Sequence, residues 1–150
     1  MIDIALYKPD IPQNTAAIVR LAACMQLKVH IIETSEINLN DSRFKRVTMD
    51  YLKMTKIIKY LDFEDFKKKN IDKRIILMTT KSNIFYHKFK FKKNDILLLG
   101  RESAGVPAEI HKEVKNKLKV PLSENARSLN IAMTAAIVTS EALRQNNYFE

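Results

Sequence analysis

The chain has 150 residues, 46% hydrophobic and 29% charged, which suits one domain (1–150) with a real core and excludes disordered and collagen-like classes. Its 26 Lys and Arg against 17 Asp and Glu give a net charge of +9, pointing to a polyanionic partner, nucleic acid ahead of membrane. A lysine-rich surface also follows from solvation alone or from a genome biased to A and T.

One cysteine, Cys24, excludes an internal disulfide framework and reads as a small core hydrophobe. Three dispersed histidines argue against a zinc site, so no metal is expected. The apolar runs are too short and interrupted to cross a bilayer. The start, MIDIALYKPD, lacks the layout of a secretory signal, so the expected compartment is the cytoplasm.

In chain order, Ile2, Ile4 and Leu6 alternate as a first strand, and KPDIPQNT forms a loop before a helix over about 15–25. The β-branched run at 28–32 makes a second strand and closes a βαβ unit, hence parallel strands. Residues 41–60 mix basic and apolar side chains and read as a loop, then a helix. Asp62 caps a further helix to about Lys69, and RIILMT (74–79) and DILLL (95–99) are strands. The alternating aromatic stretch IFYHKFKFK (84–92) fits either an edge strand or a helix. Pro107 starts a helix to about Lys115, Leu118 to Pro121 form the last strand, and a nearly uncharged, alanine-rich helix runs to about Leu143. His30 reads as a packed strand residue, and His87 and His111 as solvated.

Strands alternating with helices predict an α/β domain, three layers with a mainly parallel sheet. Ligands in such folds gather beyond the carboxyl ends of the strands, here loops 7–15, 79–83, 100–107 and 121–130. Both glycines of the chain, Gly100 and Gly105, lie in LLLGRESAGVP. Val106-Pro107 stands where a phosphate loop needs Lys and Ser/Thr, and no glycine follows the first strand, so a P-loop triphosphatase and a Rossmann dinucleotide enzyme are both rejected. A flavodoxin-like nucleotide binder is disfavoured, since its phosphate loop after strand one should be rich in Ser, Thr and Gly. Glu102, inside the glycine loop, either binds a hydroxyl or amine or fixes the loop by accepting backbone N–H groups. Asn14 is placed at or near a helix N-cap, with Arg20 about one and a half turns on and the only charge between Pro12 and Lys28. Such an Arg is either a snorkelling surface residue or a functional group. Asn125, Arg127, Ser128 and Asn130 precede the last helix, where outward backbone N–H groups suit a ligand or a simple cap.

PDIPQNTAAIVRL (9–21), LLLGRESAGVP (97–107) and VPLSENARSLNIAM (120–133) together resemble the three motifs of the SPOUT-class RNA 2′-O-ribose methyltransferases. IALYKPDIPQNT, DSRFKRVTMDY (41–51) and the small size narrow the resemblance to the minimal TrmL/YibK group, over almost the whole chain. It implies S-adenosyl-L-methionine as methyl donor, giving S-adenosyl-L-homocysteine, without a metal and in a C-terminal deep trefoil knot. It also implies a homodimer, whose last helix packs on its twin, and tRNA as partner, methylated on the wobble cytidine or uridine of leucine isoacceptors. Carried over, the cofactor-binding positions are Met78, Thr79, Thr80, Gly100, Glu102, Gly105, Val120, Leu122, Ser128, Leu129 and Asn130. Arg20 takes the catalytic position with Asn14 beside it, and Arg43 and Arg46 are the RNA-binding candidates. The chain departs from the pattern at Ala16-Ala17, where the family has Gly-Asn, and at Ala132-Met133, where it has Ser-Asn. The same reaction on another RNA, such as ribosomal RNA, and a non-catalytic RNA-binding protein with the same fold are the alternatives.

Overall fold

The computed structural model describes residues 1–33, 41–48 and 50–148, with Arg43 described by its backbone alone. The strands are β1 (Asp3–Tyr7), β2 (Val29–Ile32), β3 (Ile57–Tyr60), β4 (Ile75–Met78), β5 (Ile96–Leu99) and β6 (Asn116–Leu118). They form one sheet in the order β3-β2-β1-β5-β4-β6, with every pairing parallel. All residues of β1, β2 and β5 are buried, as expected of strands covered on both faces. Side chains leave such a strand alternately, so Ile4 and Leu6 enter one core while Ala5 and Tyr7 enter the other.

The first core lies under α1 (Pro12–Cys24), α2 (Ser42–Thr48) and α6 (Ile131–Gln145), which contribute Ile18 and Val19, Phe44, and Val138 and Leu143. Short α3 (Tyr51–Met54) adds Leu52 at its margin. The second core lies under α4 (Phe63–Lys69) and α5 (Ala108–Glu113), through Phe63, Phe66 and Ile110. The result is the expected helix–sheet–helix layering. No helix among the described residues is long and apolar enough to cross a membrane.

Polar groups buried at the amino ends of the central strands are paired. Asp3 accepts from the Lys28 amide and faces His30 Nε2, while His30 Nδ1 lies 2.7 Å from the Tyr60 hydroxyl. The Asp3 carboxylate can only accept, so Nε2–H points at it and Nδ1 of the neutral ring takes the Tyr60 proton, while Asn70 donates to the hydroxyl oxygen. His30 is thus the buried strand residue its position implied.

Five expectations change. β3 occupies residues read as helix, because it is a half-exposed edge strand whose Lys59 points outward, and its apolar signal is weak. Residues 84–92 are neither strand nor α-helix: they hold a single 3-10 turn at Tyr86–Lys88, with Phe85 bridged to Lys119. α1 begins at Pro12, whose fixed φ suits a first turn, so Ile11 is the N-cap and Asn14 lies within the helix. Cys24 ends that helix exposed rather than in the core, on the side turned from the sheet. β6 spans Asn116–Leu118, which releases Val120 and Pro121 into the loop that follows.

Candidate functional site

The strand-end loops converge on one cleft of about 490 Å³, within the range of small-molecule sites. Ile11 and Asn14 come from the loop and helix after β1, and Met78, Thr79 and Thr80 from the end of β4. Gly100, Glu102 and Gly105 follow β5, while Val120, Leu122, Ser128, Leu129 and Asn130 lie between β6 and α6. All eleven positions expected to touch a cofactor therefore line one space.

The glycine loop has a specific shape. Arg101 and Gly105 exchange two backbone hydrogen bonds of 2.9 Å, folding the loop back on itself. A Cβ on Gly100 would lie 2.6 Å from the Gly105 carbonyl carbon and 2.9 Å from the Val106 nitrogen. Gly105 has φ +67°, a left-handed value that glycine adopts without penalty. Each glycine is required for a different reason, one for close approach and one for backbone sign.

Glu102 fixes the loop and also reaches beyond it. It accepts from the Asp10 amide at 3.1 Å and from Asn14 Nδ2 at 3.3 Å. Asp10 in turn accepts from the Glu102 amide, the Arg101 guanidinium and the Ser103 hydroxyl. Hydrogen bonding with the Glu102 carboxyl, followed by Ser103 and Arg101, holds Asp10 well below the usual carboxylate range. Burial, then the neighbouring Asp10, pushes Glu102 up.

Asn130 continues the chain. Its Oδ1 caps α6 by accepting from the Ala132 and Met133 amides at 2.8 and 3.3 Å, and its Nδ2 donates to Asn14 Oδ1 at 3.0 Å. The amide polarities are mutually fixed. Backbone N–H groups demand the Asn130 oxygen, which leaves its nitrogen for Asn14, which turns the Asn14 nitrogen to Glu102. Three loops distant in sequence are thereby locked into one wall.

Other lining residues carried no signal in the sequence reading. His111, expected in solvent, is half-buried on α5 and lines the cleft, with its Nε2 buried and unpartnered among the described residues. Burial, then Lys117 and Lys81, lowers its pKa. Lys81 and Lys119 also line the cleft and make that end cationic. The only clue to His111 was its place one turn into the helix that follows the glycine loop.

Arg20 is not among the cleft residues. It lies exposed, with its guanidinium 4.9 Å from the centre of the Tyr51 ring. Six residues separate it from Asn14, about 9 Å along the axis and about 240° around it, so the two leave different sides of α1. Arg46 is exposed on α2, and the side chain of Arg43 on the same helix lies outside the described residues. Of the two departures, Ala16 is fully buried and Met133 is exposed at the start of α6.

The sequence model of the SpoU rRNA Methylase family matches residues 1–140. A tRNA (cytidine(34)-2′-O)-methyltransferase of Ancylobacter novellus is 40% identical over 148 residues, covering 97% of this chain and 94% of that protein. The protein of that name from Escherichia coli K12 is 32% identical over 150 residues, covering 99% and 96%. A solved structure reported with structural insights into the 2-OH methylation of C/U34 on tRNA matches with a TM-score of 0.93 at 29% identity, over 99% of this chain and 97% of that one.

Proposed function

This chain belongs to the SpoU rRNA Methylase family, and from that premise we infer that it transfers a methyl group from S-adenosyl-L-methionine to a ribose 2′-oxygen of tRNA, at the wobble nucleotide. The observation that carries the reading is the cleft itself, walled by Met78–Thr80, Gly100–Gly105 and Val120–Asn130 in one place.

The cleft fits such a donor on its own evidence. Gly100 keeps a strip of backbone bare where any side chain would collide, and the buried His111 Nε2 lacks, among the described residues, a partner that a polar ligand atom would supply. Met78, Gly100, Val120 and Ser128 would hold the donor, with Leu129 and Asn130 adjacent and Thr79, Thr80, Glu102, Gly105 and Leu122 around them. Bound there, the donor supplies an electrophilic methyl group.

The residues of the chain then have to align an incoming sugar and help its hydroxyl lose a proton. Asn14 is committed to Glu102 and Asn130, so its task is to fix the wall. Arg20, permanently protonated and outside the cleft of its own chain, orients the 2′-hydroxyl and the adjacent phosphate from the second copy of the homodimer rather than acting as base. Its exposure on α1 supports an RNA path across that helix, with proton loss assisted by phosphate or water. Arg43 and Arg46 on α2 continue the basic track. The trefoil knot and the homodimer belong to this reading. Support comes from β6 pairing beyond β4 while α6 returns to the face of α1, and from exposed Met133 on a helix whose only basic residue is Arg144. The protein acts in the cytoplasm as one domain.

The test is methyl transfer from isotopically labelled S-adenosyl-L-methionine to purified tRNA isoacceptors, followed by nucleoside mapping. A 2′-O-methyl group at the wobble nucleotide, first of all in leucine tRNAs, is expected. Transfer to ribosomal RNA alone, or cofactor binding with no product from any RNA, would replace the reading.

A further inference from the structure

The aromatic stretch 84–92 serves neither core fully. Tyr86, Phe89 and Phe91 pack on the first core, but Phe85 belongs to neither. Its ring instead stacks on the exposed His87 ring, with centroids 5.6 Å apart and planes at 14°. Tyr86 meets His87 edge-on at 5.5 Å. Two ammonium groups converge on the Phe85 ring, Lys119 at 5.1 Å and Lys88 at 5.9 Å.

The backbone beneath this stack is pinned. Tyr86 donates to the Lys119 carbonyl and Lys119 to the Ile84 carbonyl, while the Ser82 hydroxyl donates to the Lys117 carbonyl. The rings are therefore held in place before any partner arrives, which lowers the ordering cost of binding. The stretch itself is basic: no Asp or Glu occurs between Asp72 and Asp95, whereas Lys81, Lys88, Lys90, Lys92 and Lys93 do, and Glu141, which lies near His87, is paired with Arg144. Lys119 belongs both to this patch and to the lining of the cleft.

An exposed ring pre-stacked on a half-buried one and ringed by lysines is the combination that holds unpaired nucleotides: ring faces take bases, and ammonium groups take the phosphates between them. We propose that the Phe85–His87 stack, with Lys88 and Lys119, is a platform on which an unpaired base of the RNA substrate stacks while the neighbouring ribose enters the cleft. The proposal rests on the RNA methyltransferase reading above. The base extends the stack at the exposed His87 ring, and Lys119 links the platform to the cleft.

The experiment uses an anticodon stem-loop RNA with 2-aminopurine on either side of the target nucleotide, titrated with the full chain, alongside S-adenosyl-L-methionine affinity and methyl transfer. Wild-type protein should quench one of the two probes. Phe85→Ala and His87→Ala should each lose the quenching and bind the RNA roughly 5-fold to 100-fold more weakly, the range expected for one base–aromatic stack. Their affinity for S-adenosyl-L-methionine should stay within about 2-fold, which shows that the fold survives, and His87→Trp should restore both quenching and affinity. If wild-type protein methylates the RNA but both alanine variants bind it as tightly with unchanged quenching, the platform is wrong and the enzyme assignment stands. If wild-type protein methylates no RNA, both fall together.

Discussion

Asn130 donates to Asn14 across 116 residues of sequence, and the same side chain caps α6 through its oxygen. One amide thus stabilises a helix and closes a wall of the cleft. Asn130→Ala should lower stability by about 1 kcal/mol, the usual cost of a lost cap, and also weaken S-adenosyl-L-methionine. Asn130→Asp keeps the cap but sets a carboxylate against the Asn14 oxygen. It should retain the stability and still lose affinity. Denaturant titration beside calorimetric binding separates the two effects, and a binding loss that tracks stability in both variants would deny the wall its role.

The two glycines should respond in a fixed order. At Gly100 an added methyl meets backbone at 2.6–2.9 Å, which only a loop shift relieves. At Gly105 there is space, and only the positive φ resists. Gly105→Ala should cost about 1–2 kcal/mol. Gly100→Ala should cost about as much or more and abolish cofactor binding as well. Equal cofactor affinity in the two variants, measured by calorimetry, would contradict the close-approach argument.

Glu102 gives a pH dependence with a definite sign. Its carboxyl is raised in the folded state by burial and then by Asp10, so the stability it contributes is present at low pH and lost as pH rises through the raised value. Glu102→Gln is uncharged at every pH and keeps an acceptor for Asn14, while turning an NH2 toward the Asp10 amide that Glu102 accepts from. From about pH 4.5 upward the variant should gain on the wild type in thermal denaturation. Asp10 acts in the other direction, its contribution being lost as pH falls below about 3.8.

His111 should set stability against binding. Its pKa is lowered in the folded state, so its contribution is full above about pH 6.5 and lost as pH falls through the lowered value. His111→Leu removes both that dependence and the unpaired buried nitrogen. The variant should be more stable by about 1 kcal/mol at neutral pH, more so at pH 5, and bind S-adenosyl-L-methionine less tightly. Denaturant titrations at the two pH values check the first part, and calorimetry the second.

The layering, the parallel sheet and the cluster of strand-end loops were legible in the sequence because short apolar stretches, alternating at Ile2, Ile4 and Leu6 and continuous in ILLL, are separated by helix-forming segments. The eleven cleft positions were legible through the resemblance of their motifs, and of these Gly100 and Gly105 also carry a backbone reason, close approach at one and a positive φ at the other. β3 was not, because an edge strand with an outward lysine carries a weaker apolar signal than the strands inside it. Nor were His111 and the fixed polarity of the Glu102–Asn14–Asn130 chain, which depend on how α5 and α6 are set against the loops. The spacing of Asn14 and Arg20 was read as a distance along α1, while the angle around it sends them to different surfaces.

β6 is three residues long, yet it alone covers the outer edge of β4, and the loop behind it supplies the fourth side of the cleft. A nascent chain extended only as far as α5 would carry a finished glycine loop beside a bare strand edge, with nothing to grip a ligand. During synthesis that edge is the adhesive part of the molecule, open to neighbouring chains until residues 116–118 dock. Competence to bind and protection from aggregation therefore arrive in the same step.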